Sequence, residues 1–255
     1  MPRRAKVDRK VIDNSLLLIG LAFALGGILK GATGAGAPLI AVPLIAMLYD
    51  VRLAVAVFAL PNVVTNAVQV WQFRDARVPK LSLRFALAGA VGTGVGTLAL
   101  TALNAAALLL VVAAVMLLYI GFRMARPDWS LSFALASVLA WPMGALSGVL
   151  FGISGLSAPV SLTYLNATGL DRRNFIATVT SLFLASGLVQ IPLLLWYGIM
   201  SSQTILLGLA AIAPLLAGMP VGAWLARRIS KQVFDKTILA LLCVLAVKLV
   251  WDALT

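Results

Sequence analysis

The sequence predicts an all-α, polytopic membrane protein of two tandem repeats, each a Gly-broken helical segment followed by three spanning helices. Three observations predict it. Of 255 residues, 62% are hydrophobic and 11% charged, with a mean hydropathy of +1.05. A soluble domain carries about 25% charged residues, so this apolar surplus has no interior large enough to hide it. Several apolar runs reach the ~20 residues a helix needs to cross the hydrocarbon of a bilayer; such unbroken runs exclude a porin-type barrel, whose strands alternate. Finally, one Gly-rich motif occurs twice, 121 residues apart.

Charged punctuation separates the elements. A basic tail over residues 1–14 (Arg3, Arg4, Lys6, Arg9, Lys10) precedes the first repeat, 15–126; the second occupies 127–255. The first apolar stretch, Leu16 to Leu48, is interrupted by Gly-rich sequence, and runs follow at 51–73, 81–102 and 105–122. The second interrupted stretch, 131–168, is followed by runs at 174–198, 204–226 and 237–254. A basic tail before an apolar run has the shape of a signal peptide, but this run takes part in the repeat.

The motif reads G-x-x-x-G-x-[ST]-G-x-[GS]-A-P, from Gly27 to Pro38 and from Gly148 to Pro159. The offset continues without a gap through Asp50/Asp171, Arg52/Arg173 and Gln69/Gln190, with 13 identities over the 43 positions 27–69. Internal repeats of this kind mark a duplicated architecture. The short-loop basic residues fall at Arg74–Arg84, Arg123 and Arg126, Arg172 and Arg173, and Arg227–Lys236. If both broken segments are hairpins, all four basic loops lie inside and the repeats are inverted, with the basic tail outside. If each segment crosses once, the repeats are parallel, and the loops at 172–173 and 227–236 lie outside. A hairpin in the second segment alone satisfies the charges best but makes equivalent sequences do different things, so the inverted arrangement is the expectation.

Gly, Thr and Ser weaken a helix, and backbone unwound within a membrane survives only where protein covers it or it lines a polar cavity. Pro38 and Pro159 suit the first position of a new helix. Each motif therefore reads as helix, break, helix, with the positive N-terminal end of the second half-helix facing the break. Such ends hold anions, and two meeting near the bilayer midplane is a secondary-transporter plan. The candidate substrate-binding residues at the breaks are Lys30, Gly31, Thr33, Gly34 and Gly36 in the first half, and Gly152, Ser154, Gly155 and Ser157 in the second. Close helix packing by the same glycines is the competing reading. Lys30 either attracts an anionic substrate or snorkels to the interface.

The next helix in each half carries a polar stripe: Asn62, Thr65, Asn66 and Gln69 in the first, Ser186 and Gln190 in the second. These groups line the substrate path or bond neighbouring helices. Asp50 and Asp171 precede helix starts and read as N-caps, with Arg52 and Arg173 as interfacial anchors and a gate as the alternative role. Trp71, Trp129, Trp196 and Trp251 suit an aromatic belt, and Lys248 snorkels.

The ionisable census excludes whole function classes. The chain has no His, no Glu and one cysteine, Cys243. His-dependent catalysis, the common metal sites and an internal disulfide are therefore unavailable. No G-x-x-x-x-G-K-[ST] loop supports ATP-driven pumping, and no cofactor is expected. The net charge of +12 is an orientation signal in a membrane chain, so nucleic acid is not an expected partner. The expected partners are the bilayer and a small anion, with a coupling ion and a second copy of the chain left open.

The duplicated motif ending in Ala-Pro, the Asp-x-Arg that follows, and Gly92-x-x-x-Gly96 with Gly218-x-x-x-Gly222 resemble the sulfite exporter TauE/SafE family. The likeness spans about 16–254. It departs from the family pattern at Lys30 and Ala35. The resemblance implies a permease of the bacterial inner membrane that moves sulfite or an organosulfonate by alternating access. A carrier of a carboxylate or phosphate and a non-transporting membrane scaffold are the alternatives.

Overall fold

The computed structural model describes residues 9–125, 130–228 and 231–254, so Arg3, Arg4, Lys6, Arg126 and Trp129 lie outside the described residues. Lipid offers the backbone no hydrogen-bond partner, so apolar sequence within it coils to satisfy itself. The helices are α1 (Arg9–Thr33), α2 (Ala37–Leu48), α3 (Val51–Gln72), α4 (Pro79–Ala102) and α5 (Ala105–Ala125), then α6 (Phe133–Ser154), α7 (Ala158–Ala167), α8 (Arg172–Trp196), α9 (Ser202–Arg228) and α10 (Lys231–Leu254). A 3-10 turn, Arg74–Ala76, joins α3 to α4. Seven of these helices are long and apolar enough to cross a membrane; α2 and the apolar part of α1, Leu17–Thr33, are shorter. Each half thus follows one succession, a broken pair and then three long helices.

Both motifs interrupt the helix as their composition predicts. Residues 34–36 and 155–157 are not helical, Gly34 and Gly155 take φ of 88° and 71°, and α2 and α7 each start with proline in the first turn. A left-handed φ is nearly free only for glycine, which fixes where each chain turns. Both turns make hairpins. A Cβ on Gly26 would lie 3.3 Å from the Ala41 Cβ, so α2 folds back along α1. Tyr164 Oη donates to the Ala136 carbonyl at 2.5 Å and the Leu131 N–H to the Ala167 carbonyl at 2.7 Å, so α7 folds back along α6.

Small residues set the helix contacts, as they must where lipid is as apolar as leucine. A Cβ on Gly27 would lie 2.2 Å from the Leu215 carbonyl oxygen and one on Gly31 1.9 Å from that of Met219, so α1 and α9 touch backbone to backbone and run in the same direction. Likewise a Cβ on Gly92 would meet the Ala145 carbonyl and one on Gly96 the Val149 carbonyl, so α4 and α6 run together. Contacts of Ser82 with Thr178 and of Gly89 with Leu182 set α8 in that same direction. The helix α3 crosses α8 where Asn62 and Val63 meet Phe183 and Gly187. Pairs recur between halves: α1 on α9 and α6 on α4, α3 on α9 and α8 on α4, α2 on α10 and α7 on α5.

Candidate functional site

The α3–α8 crossing positions the site. Pro61 withdraws a backbone donor from α3, and the next residue, Asn62, donates its Nδ2 to the Phe183 carbonyl of α8 at 2.9 Å. Gly187 makes room for that amide, since a Cβ there would lie 2.9 Å from it. One turn along α3, Asn66 Nδ2 donates to both the carbonyl and Oδ1 of Asn62 at 2.7 Å, and Asn66 Oδ1 accepts from Lys30 Nζ at 2.8 Å. A continuous polar chain therefore runs from α1 through α3 to α8.

Lys30 is 2% exposed and Asn66 fully buried, so the ammonium does not snorkel. Among the described residues its contact is an amide, and no carboxylate lies within ion-pair distance. An amide oxygen shares the charge without neutralising it, and a buried charge without a counter-charge is costly. Gln69 lies one turn beyond Asn66, 5% exposed, with its Oε1 buried and unpartnered.

The break residues are engaged locally. Thr33 Oγ1 donates to the Leu29 carbonyl at 2.8 Å and accepts the N–H groups of Ala35 and Gly36. Ser154 Oγ donates to the Leu150 carbonyl at 2.6 Å and accepts the Leu156 N–H. Both hydroxyls cap the end of their own helix, so donation to an anion requires exchange of an existing bond. Gly31 and Gly152 face the backbones of α9 and α4, which is the packing use of these glycines. Gly34 lies on Ile176, Gly36 on Leu29 and Thr33, and Gly155 on Val42 and Val55; the Ser157 hydroxyl is 3.1 Å from that of Ser161.

The two breaks do not come together at one midplane point, as the sequence expectation had them do. Each packs against a residue seven positions from the crossing, Ile176 on α8 for Gly34 and Val55 on α3 for Gly155. Seven residues are about 10 Å of helix axis, and the two run to opposite sides. The cause is the hairpins, which return each half-helix beside its partner instead of carrying it onward to the centre.

Asp50 Oδ1 accepts the Leu53 N–H and Asp171 Oδ1 the Asn174 N–H, each at 2.8 Å, so both are N-caps. Arg52 donates to the Leu100 and Leu103 carbonyls, closing the C-terminal end of α4, whereas Arg173 is exposed. In the second half Gln190 Nε2 donates to the Gly152 carbonyl at 3.2 Å, and Ser186 Oγ is buried and unpartnered. Sequence reasoning missed Arg172, whose guanidinium donates to the Ala32 carbonyl beside the first break at 3.2 Å. The signal was present, because Arg172 aligns with Val51 in the repeat.

The profile of the family described as Sulfite exporter TauE/SafE matches residues 18–249, nearly the whole chain. No individually curated protein and no solved structure matches it.

Proposed function

Because the chain belongs to the sulfite exporter TauE/SafE family, a family of membrane transporters, we propose that it carries a small sulfur-containing anion, sulfite or an organosulfonate, across a bacterial inner membrane by alternating access. The observation that carries this reading is Lys30, a buried ammonium held, among the described residues, by an amide and by no carboxylate. Charged groups within membranes face partners or wet cavities because their desolvation is expensive. A bound anion supplies the missing counter-charge, and Asn66, Gln69 and the loosened backbone of the first break supply dipoles around it.

The helix directions support an inverted relation between the halves. The helix α1 runs with α9, and α6 runs with α4 and α8. Since α9 turns back from α8 across residues 197–201, α1 and α6 point oppositely. In that arrangement the loops bearing Arg74–Arg84, Arg123, Arg172–Arg173 and Arg227–Arg228 share one face, which the positive-inside rule makes cytoplasmic. Two bodies rocking about the α3–α8 crossing, α1/α2 with α9 and α6/α7 with α4, then alternately open the site to either side.

The test is flux. Purified full-length protein in proteoliposomes moves labelled sulfite, unlabelled sulfite and methanesulfonate compete, and Lys30→Met abolishes the movement. Competition by phosphate or acetate in their place assigns the protein another anion. No flux of any of these anions, with a folded protein in the vesicles, removes the proposal.

A further inference from the structure

Exchange of the two halves superposes unlike chemistry at the breaks. The repeat equivalents of Lys30, Asn62 and Asn66 are Phe151, Phe183 and Gly187. Where the first half has a chain of amides ending in an ammonium, the second has two aromatic rings packed with centroids 5.7 Å apart. Gln69 and Gln190 are identical in type and opposite in use. Gln190 is tied to the Gly152 carbonyl, while Gln69 has its Oε1 buried without a partner. Outside the break, Arg172 lies against the Ala32 carbonyl at the end of α1; its equivalent at the other break is Val51, which is 2% exposed. Lys30 and Arg172 therefore have no basic counterpart in the repeat, whereas, among the described residues, each half keeps one buried unpartnered polar atom, Gln69 Oε1 and Ser186 Oγ.

We infer that the anion is received at the first break alone, with Arg172 as the receiving cation at the mouth, Lys30 as the counter-charge inside and the Gln69 amide, turned over, as a donor, and that the second break is a structural counterpart that holds no anion. The buried Gln69 Oε1 is an acceptor without a donor, so Gln69 faces an anion only after its amide turns over about the last torsion and brings the N–H2 group to that position. Arg172 is exposed and on the basic face, so it raises the local anion concentration through its field more than it binds tightly. Its hold on the Ala32 carbonyl is released as an anion takes over the guanidinium. This assignment rests on the anion-transport reading above and adds which half of the molecule does the binding.

The experiment compares the halves in the full chain in lipid nanodiscs, reading the melting shift against sulfite and methanesulfonate concentration, and sulfite flux in proteoliposomes. Lys30→Met and Gln69→Leu weaken half-saturation by about thirtyfold or more, the scale of losing a buried polar partner. Gln190→Leu and Ser157→Ala change it by less than about threefold, a few tenths of a logarithmic unit. Arg172→Gln raises the KM of flux with little change in maximal rate, and the difference fades at high ionic strength, as screening of an exposed charge requires. Retained circular dichroism and an anion-free melting midpoint no lower than that of the wild type guard against misfolding as an explanation of the loss in Lys30→Met or Gln69→Leu. Equal weakening in both halves overturns the one-sided assignment while leaving anion transport standing. A wild-type protein without anion response removes both.

Discussion

A lysine enclosed among helices governs the energetics around it. Among the described residues the Lys30 ammonium keeps a single amide contact at 2.8 Å; removing it relieves a desolvation cost of several kcal/mol per buried ion, which exceeds the about 1–3 kcal/mol lost when Asn66 Oδ1 is left without a donor. Lys30→Met is therefore expected to melt several degrees higher than wild type in the absence of anion, and thermal scans in detergent check this. A variant that melts lower would mean that the ammonium is satisfied by the fold itself. The caps behave conventionally. Asp171→Ala removes the acceptor for the Asn174 N–H and should cost about 1 kcal/mol. Lys30, Asn62, Asn66 and Gln69 were visible in the sequence as polar groups in apolar runs. Their bonding was not, because the partners come from three different helices.

At the scale of helices, the glycines of the repeat motif serve contact as well as turning. Gly31→Val would drive atoms into the Met219 carbonyl and Gly152→Val into that of Thr93, where a Cβ has 1.9 Å and 2.4 Å. Each pair of helices must separate, at a cost of about 3 kcal/mol or more, which appears as loss of folded protein in denaturant titrations. Gly121→Ala is the matched control: nothing lies within 4 Å of a Cβ there, and alanine in place of glycine in a helix gains about 0.5–1 kcal/mol. The breaks themselves were legible, because Gly-Ala-Gly and Gly-Leu-Ser before Ala-Pro are local determinants of a turn and a new helix start. The return of α2 along α1 is decided by Gly26 against Ala41, residues with no marked signal of their own.

For the molecule as a whole, the helix directions make side-specific labelling the decisive measurement. With Cys243 replaced by alanine, single cysteines at Arg77, Arg123 and Arg227 are expected to react from one side of the membrane, and cysteines at Asn104 and Ser201 from the other. Labelling of Arg77 and Arg227 from opposite sides would instead mean parallel repeats. The basic loops fit the first outcome because a short loop rich in Arg and Lys resists translocation.

Composition and local pattern by themselves determined that this chain is helical, lies in a membrane, is punctuated at 34–36 and 155–157, and caps α3 and α8 with aspartate. Each of these follows from residues near one another in sequence, through solvent preference or a bond within one turn. Tertiary structure decided which polar groups meet, which glycines carry contacts, and that the two breaks lie on opposite sides of the α3–α8 crossing. Those outcomes depend on the crossing of helices over a hundred residues apart, as where Asn62 reaches Phe183. Hydropathy is nearly blind to such choices, since apolar faces pack against lipid almost as well as against one another.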